Sequence, residues 1–129
     1  MKLKHECVRA TLLFIEENYQ DGSNLMLNDF IQSKELKSYD QQDVAYTLKK
    51  LDEAGYLNIK FVYASNQLAI VWCWGITWSG HEFLDTVRDT KVWSETKSIT
   101  SKFASVPIKM VSDIASKVLT NLIEKQMGL

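Results

Sequence analysis

No run of apolar residues in the chain reaches the ~18 in succession that a membrane-spanning helix needs. A secretion signal is also not expected. Met1 to Tyr19 opens with Lys2 and Lys4, but Glu6, Arg9, Glu16 and Glu17 interrupt every apolar stretch that follows. There are only two cysteines, Cys7 and Cys73, far apart and without CxxC spacing, which excludes a thiolate metal cluster and a disulfide framework. Both read as reduced thiols of a cytoplasmic protein, because free cysteine is among the residue types most often buried.

A surplus of positive charge is missing too. Fifteen Lys and Arg face 16 Asp and Glu, for a net charge of −1 and a pI near 6.1. That balance argues against a surface built throughout to attract phosphate. The charge is unevenly spread, however. Residues 1–90 carry nine basic against thirteen acidic side chains, and residues 91–129 carry six lysines against three acids.

Catalytic signatures are equally absent. No Gly-x-Ser-x-Gly turn activates a serine, and no glycine-rich loop cradles a phosphate. His5 beside Glu6 and His81 beside Glu82 lack ligand spacing, because neighbours on a helix point ~100° apart. The expectation is a non-enzymatic protein with no metal, cofactor or small-molecule substrate.

What the chain does have is the material of a folded domain. Its 129 residues are 46% hydrophobic and 24% charged, with no low-complexity segment or repeat. Val8, Leu12, Ile15 and Tyr19 predict a first helix over 4–19, stopped by Asp21-Gly22-Ser23. Leu25 to Leu27 reads as a short strand, and Asn28 as the cap of a brief second helix over 29–34. Ser38, Tyr39 or Asp40 caps a third helix that carries Val44, Ala45, Leu48 and Leu51 on one face and ends at Gly55. Two strands over 58–63 and 67–76, rich in Val, Ile, Phe, Tyr and Trp, form a hairpin around Ala64-Ser65-Asn66. A fourth helix opens at Thr77 or Ser79.

Residues 89–105 are polar, with Val92, Trp93, Ile99 and Phe103 as anchors. Pro107 then fits the first turn of a strongly amphipathic final helix. The order of helices and hairpin predicts a mostly helical α+β chain. In that reading a winged helix-turn-helix domain spans 1–90, and a helical extension over 91–129 serves packing or dimerisation.

Leu48 to Leu57, followed by Ile76-Thr77-Trp78-Ser79-Gly80-His81-Glu82-Phe83-Leu84, resembles the winged-helix pattern in which a leucine-rich helix ends in glycine and a Thr-x-x-Gly segment closes the wing. Four segments carry a closer likeness: Cys7-Val8-Arg9 with Leu12 to Glu17, Leu51 to Leu57, Thr77 to Arg88, and Val92-Trp93 with Thr96-Lys97. Through them the chain resembles domain-of-unknown-function family 2513, which includes the YjcQ-like small proteins of bacteria and prophages. The resemblance implies a winged-helix fold and a phage or mobile-element setting. It implies no activity and no ligand.

Three candidate surfaces follow. The third helix would present Gln41, Gln42, Tyr46, Lys49 and Lys50 to the DNA major groove, two glutamines to read base edges and two lysines for phosphate. Asp40, Asp43, Asp52 and Glu53 oppose that role. The wing, with Tyr63, Ser65, Asn66 and Gln67, is weaker still, because Lys60 is the only charge between Asn58 and Ile76. Trp72, Trp74 and Trp78 alternate along the sequence and would project from one strand face, which either covers the core or forms an exposed interaction patch. Val111, Ile114, Val118, Leu119 and Leu122 line the final helix, for folding back on the core or for pairing with a second copy. On charge grounds a protein partner is favoured over DNA, with a dimeric DNA-binding regulator as the alternative.

Overall fold

The computed structural model describes all residues from Met1 to Leu129. It is a mixed α+β structure, mostly helical, with one three-stranded antiparallel sheet. The elements are α1 (His5–Asn18), β1 (Leu25–Met26), α2 (Leu27–Ile31), α3 (Gln41–Glu53), β2 (Leu57–Ala64), β3 (Gln67–Ile76), α4 (Trp78–Val87), α5 (Thr90–Thr100) and α6 (Ile108–Gln126). No helix is long and apolar enough to cross a membrane. The chain forms two compact units, residues 1–81 and residues 82–129.

In the first unit the core is built where the apolar periodicities converge. One side of α1 buries Cys7, Val8, Leu12 and Ile15, and α3 buries Val44, Leu48 and Leu51. Phe14 and Phe30 join α1 to α2, with ring centroids 5.0 Å apart at a tilt of 55°. β3 is the central strand, flanked by β1 and β2. Its pairs place Leu25, Ile59 and Cys73 on one face, and the burial of Leu25 and Cys73 marks that face as the inward one.

Some helix ends differ from the expected ones, and others fall on one of the expected alternatives. α2 begins at Leu27 and has no cap from Asn28; the Met26 N–H instead donates to Asp29 Oδ2 at 2.7 Å, so the acid in the first turn reaches back over the helix start. Asp40 is the residue that opens α3. Of the two candidate caps of α4 it is Thr77 that acts, its hydroxyl accepting from the Gly80 N–H at 3.1 Å while donating to the Gly55 carbonyl at 2.6 Å. Pro107 sits one residue before α6, at the N-cap.

The second unit contains a helix where the sequence reads as a polar segment. α5 starts at Asp89, whose Oδ1 accepts from the N–H groups of Lys91 at 2.9 Å and Val92 at 3.0 Å. α5 packs against α6, which buries Val111, Ala115 and Val118.

Candidate recognition surface

α3 is anchored by its apolar face, which leaves its predicted reading residues on the other side. Gln41 and Gln42 are exposed in the first turn, and Tyr46, Lys49 and Lys50 are half-buried. Neither lysine extends freely. Lys50 Nζ lies 5.4 Å over the Tyr46 ring and 3.0 Å from Glu53 Oε2, and that carboxylate raises its pKa. Lys49 Nζ lies 5.1 Å over the ring of Tyr63 on β2, so one predicted helix residue and one predicted hairpin residue are brought together.

The acids are partly engaged as well. Lys4 Nζ meets Asp43 Oδ2 at 2.8 Å, tying the start of α1 to the first turn of α3. The pair spans 39 positions, and no local pattern signals it.

The hairpin tip turns on Ser65 and Asn66, with φ of 53° and 64°. Two successive positive φ values are the mark of a type I′ turn, whose twist matches that of the strands it joins. Tyr63, Ser65, Asn66 and Gln67 are all exposed there, and none is charged.

The tryptophans are arranged differently from the strand reading. Val71, Cys73 and Gly75 point inward, so Trp72 and Trp74 face out. Trp78 shares no strand face with them, because it lies in the first turn of α4, where it is 80% exposed. Trp72 is half-buried and Trp74 exposed, both on the side of β3 away from Val71 and Cys73. Trp74 is 45% exposed, and Ile70 and Met26 are partly exposed beside Trp72 through the pairs Val62 with Ile70 and Met26 with Trp72. Lys60, opposite Trp72, brings the one charge to this surface.

In α6, Val111 and Val118 are buried, whereas Ile114, Leu119 and Leu122 are half-buried. Ile114 belongs to a groove of about 390 Å³ that also takes in Phe103, Val106 and Met110. Cys7 and Cys73 are free and buried, and burial pushes both thiols up from their ordinary value. His81 is exposed, and no three His, Cys, Asp or Glu side chains come together to hold a metal ion.

A family described as "Hypothetical protein (DUF2513)" matches residues 2–107. The chain belongs to this family. The DUF2513 match takes in α1 to α5 and ends at Pro107, the N-cap of α6. A relative from Haemophilus influenzae, described as an uncharacterized protein, is 25% identical over 124 residues, covering 95% of this chain and 99% of its own length. No solved structure matches the chain.

Proposed function

We propose that this member of the DUF2513 family is a non-enzymatic winged-helix module that recognises a protein partner through the outer face of its sheet. The element order α1-β1-α2-α3-β2-β3 and the flanking hairpin support the winged-helix reading. The observation that carries the partner is the outward register of β3. It leaves Trp72, Trp74 and Ile70 on a surface with a single charge, and tryptophan is enriched among the residues that dominate protein interfaces. The free, buried thiols fit a cytoplasmic setting, and the family resemblance fits a phage or other mobile element.

A second reading, a dimeric DNA-binding regulator, rests on one specific observation. Lys4 neutralises Asp43, which removes one of the acids that would repel phosphate at the start of α3, and Lys49 stands where helix and hairpin converge. Against it, Lys50 is already paired with Glu53 and the hairpin tip offers no charge. Few phosphate contacts remain, and affinity for DNA is built largely from such contacts.

The test is affinity capture from host lysate at two salt concentrations, followed by titration of the identified partner. The expected result is salt-resistant capture of a protein whose affinity falls about tenfold or more with Trp74→Ala and stays unchanged with Lys49→Ala. Recovery of nucleic acid alone, with a steep loss as salt rises, would overturn the protein reading in favour of the regulator.

A further inference from the structure

The hairpin from Asn58 to Ile76 carries one charge, Lys60, and the strand register decides where it stands. Four consecutive pairs of β2 with β3 run without a shift: Ile59 with Cys73, Lys60 with Trp72, Phe61 with Val71 and Val62 with Ile70. Val71 and Cys73 are fully buried, so alternation turns Lys60 and Val62 outward together with Trp72 and Ile70. On the far side of Trp72 lies Met26, its partner on β1. Met26, Trp72 and Lys60 therefore form one row across the outer face, each about 5 Å from the next, as strand spacing requires.

Lys60 is exposed, and its ammonium forms no ion pair and lies over no aromatic ring. Lys4, Lys49 and Lys50, by contrast, each have a partner within the chain. The one charge of an otherwise apolar face is thus left unanswered.

That position selects what can cover the face. A partner that is apolar throughout either buries the ammonium without an acceptor, which is strongly unfavourable, or forces it off the edge of β2. A basic partner is repelled. A carboxylate forms an ion pair that the covering surface shields from water and salt. A second copy of this face brings another lysine and no acid. Nucleic acid fits poorly, because one lysine neutralises one phosphate and such binding is built from several.

We infer that the tryptophan face binds a segment of a partner protein that sets one aspartate or glutamate against Lys60. Apolar side chains of that segment then lie about 5 and about 10 Å from the acid, over Trp72 and Met26. The inference rests on the protein-recognition reading and adds to it the charge that the partner must carry. The tryptophans supply contact area, and the lysine rejects partners without the acid.

The test selects binders from a display library of random dodecapeptides on the full chain, immobilised, and repeats the selection on Lys60→Glu and Lys60→Met. Peptides enriched on the native chain should carry one Asp or Glu flanked by apolar residues. Lys60→Glu should enrich Lys or Arg in its place, and Lys60→Met should enrich no charge. A synthetic copy of a selected peptide should lose about tenfold in affinity for the native chain when its acid is changed to the amide. That last change leaves the protein untouched, so it holds even where a Lys60 variant folds poorly.

Selection of the same peptides by all three chains, an affinity indifferent to the peptide's acid, or no enrichment at all would overturn the inference. So would displacement of the peptide by a single-stranded oligonucleotide, or a dimer of the native chain that Lys60→Glu disperses, because nucleic acid or a second copy would then own the face. Trp74→Ala separates the inference from the reading it rests on. Peptides that lose affinity with Trp74→Ala but show no charge preference keep the tryptophan face and remove the role of Lys60. An acid preference that depends on Lys60 and ignores Trp74→Ala keeps the ion pair and removes Trp74 from the recognition surface.

Discussion

Gly80, in the first turn of α4, lies against the carbonyl of Tyr56 at the entrance to β2. A Cβ at Gly80 would collide with that oxygen and come within 2.5 Å of Ile76 Cγ2. The close approach is held by the Thr77 N–H, which donates to the same Tyr56 carbonyl at 2.9 Å. Because the obstacle is backbone and not a flexible side-chain end, Gly80→Ala must shift the helix away from the strand. We expect a loss of about 1–3 kcal/mol, the usual range for overpacking, read by urea unfolding. An unchanged midpoint would mean that the helix start can move freely.

Gly55 isolates the other reason for glycine. Its φ is 78°, and a Cβ there would meet nothing within 4 Å, so the cost of a side chain is purely conformational. Gly55→Ala should destabilise by about 1 kcal/mol, and Gly55→Asn by less, because asparagine tolerates the left-handed region better. Equal losses in the two variants, measured by thermal unfolding, would show that the left-handed conformation is not the cause.

The first unit was legible because its signals are local. Leucines at helical spacing placed α3, Gly55 marked its end, and alternating β-branched and aromatic residues placed the hairpin. The direction in which the tryptophans face was not legible. Alternation sets Trp72 and Trp74 on one side, but only the packing of α1 and α2 against β3 decides which side is the core. The Lys4–Asp43 pair likewise depends on contacts between distant segments. α5 was hidden by Thr96, a polar residue that is fully buried because its hydroxyl donates to the Val92 carbonyl at 2.7 Å. Counted as polar, it breaks the helical period that Val92 and Trp93 begin.

Asp89 gives that unexpected helix its start, and its effect can be measured alone. Its carboxylate satisfies two N–H groups that have no carbonyl partner in the first turn. Asp89→Ala should cost about 1 kcal/mol, and Asp89→Ser should restore most of it, since serine also caps well. Hydrogen exchange should quicken first at Lys91 and Val92. If exchange there is unaltered, the cap does not hold the helix end.

Alkaline pH should weaken the fold. Burial raises the Cys7, Cys73, Tyr39 and Tyr56 pKa values; a hydrogen bond from Lys4 to Asp43 raises the Lys4 value, and one from Lys50 to Glu53 raises the Lys50 value. Each of these groups holds its proton more tightly in the folded chain than in the unfolded one. The folded state therefore binds more protons once pH passes the unfolded values, and stability falls as pH climbs toward the folded ones. The stabilisation is fully present below about pH 8.5, the ordinary thiol value, and the thiols are the first to withdraw it. Urea unfolding between about pH 8 and 11 should show a declining free energy, and in the Cys7→Ala, Cys73→Ala double variant the decline should begin later, near the tyrosine range of about 10. The same onset in the native chain and the double variant would mean that deprotonation of the buried thiols does not drive the first part of the loss.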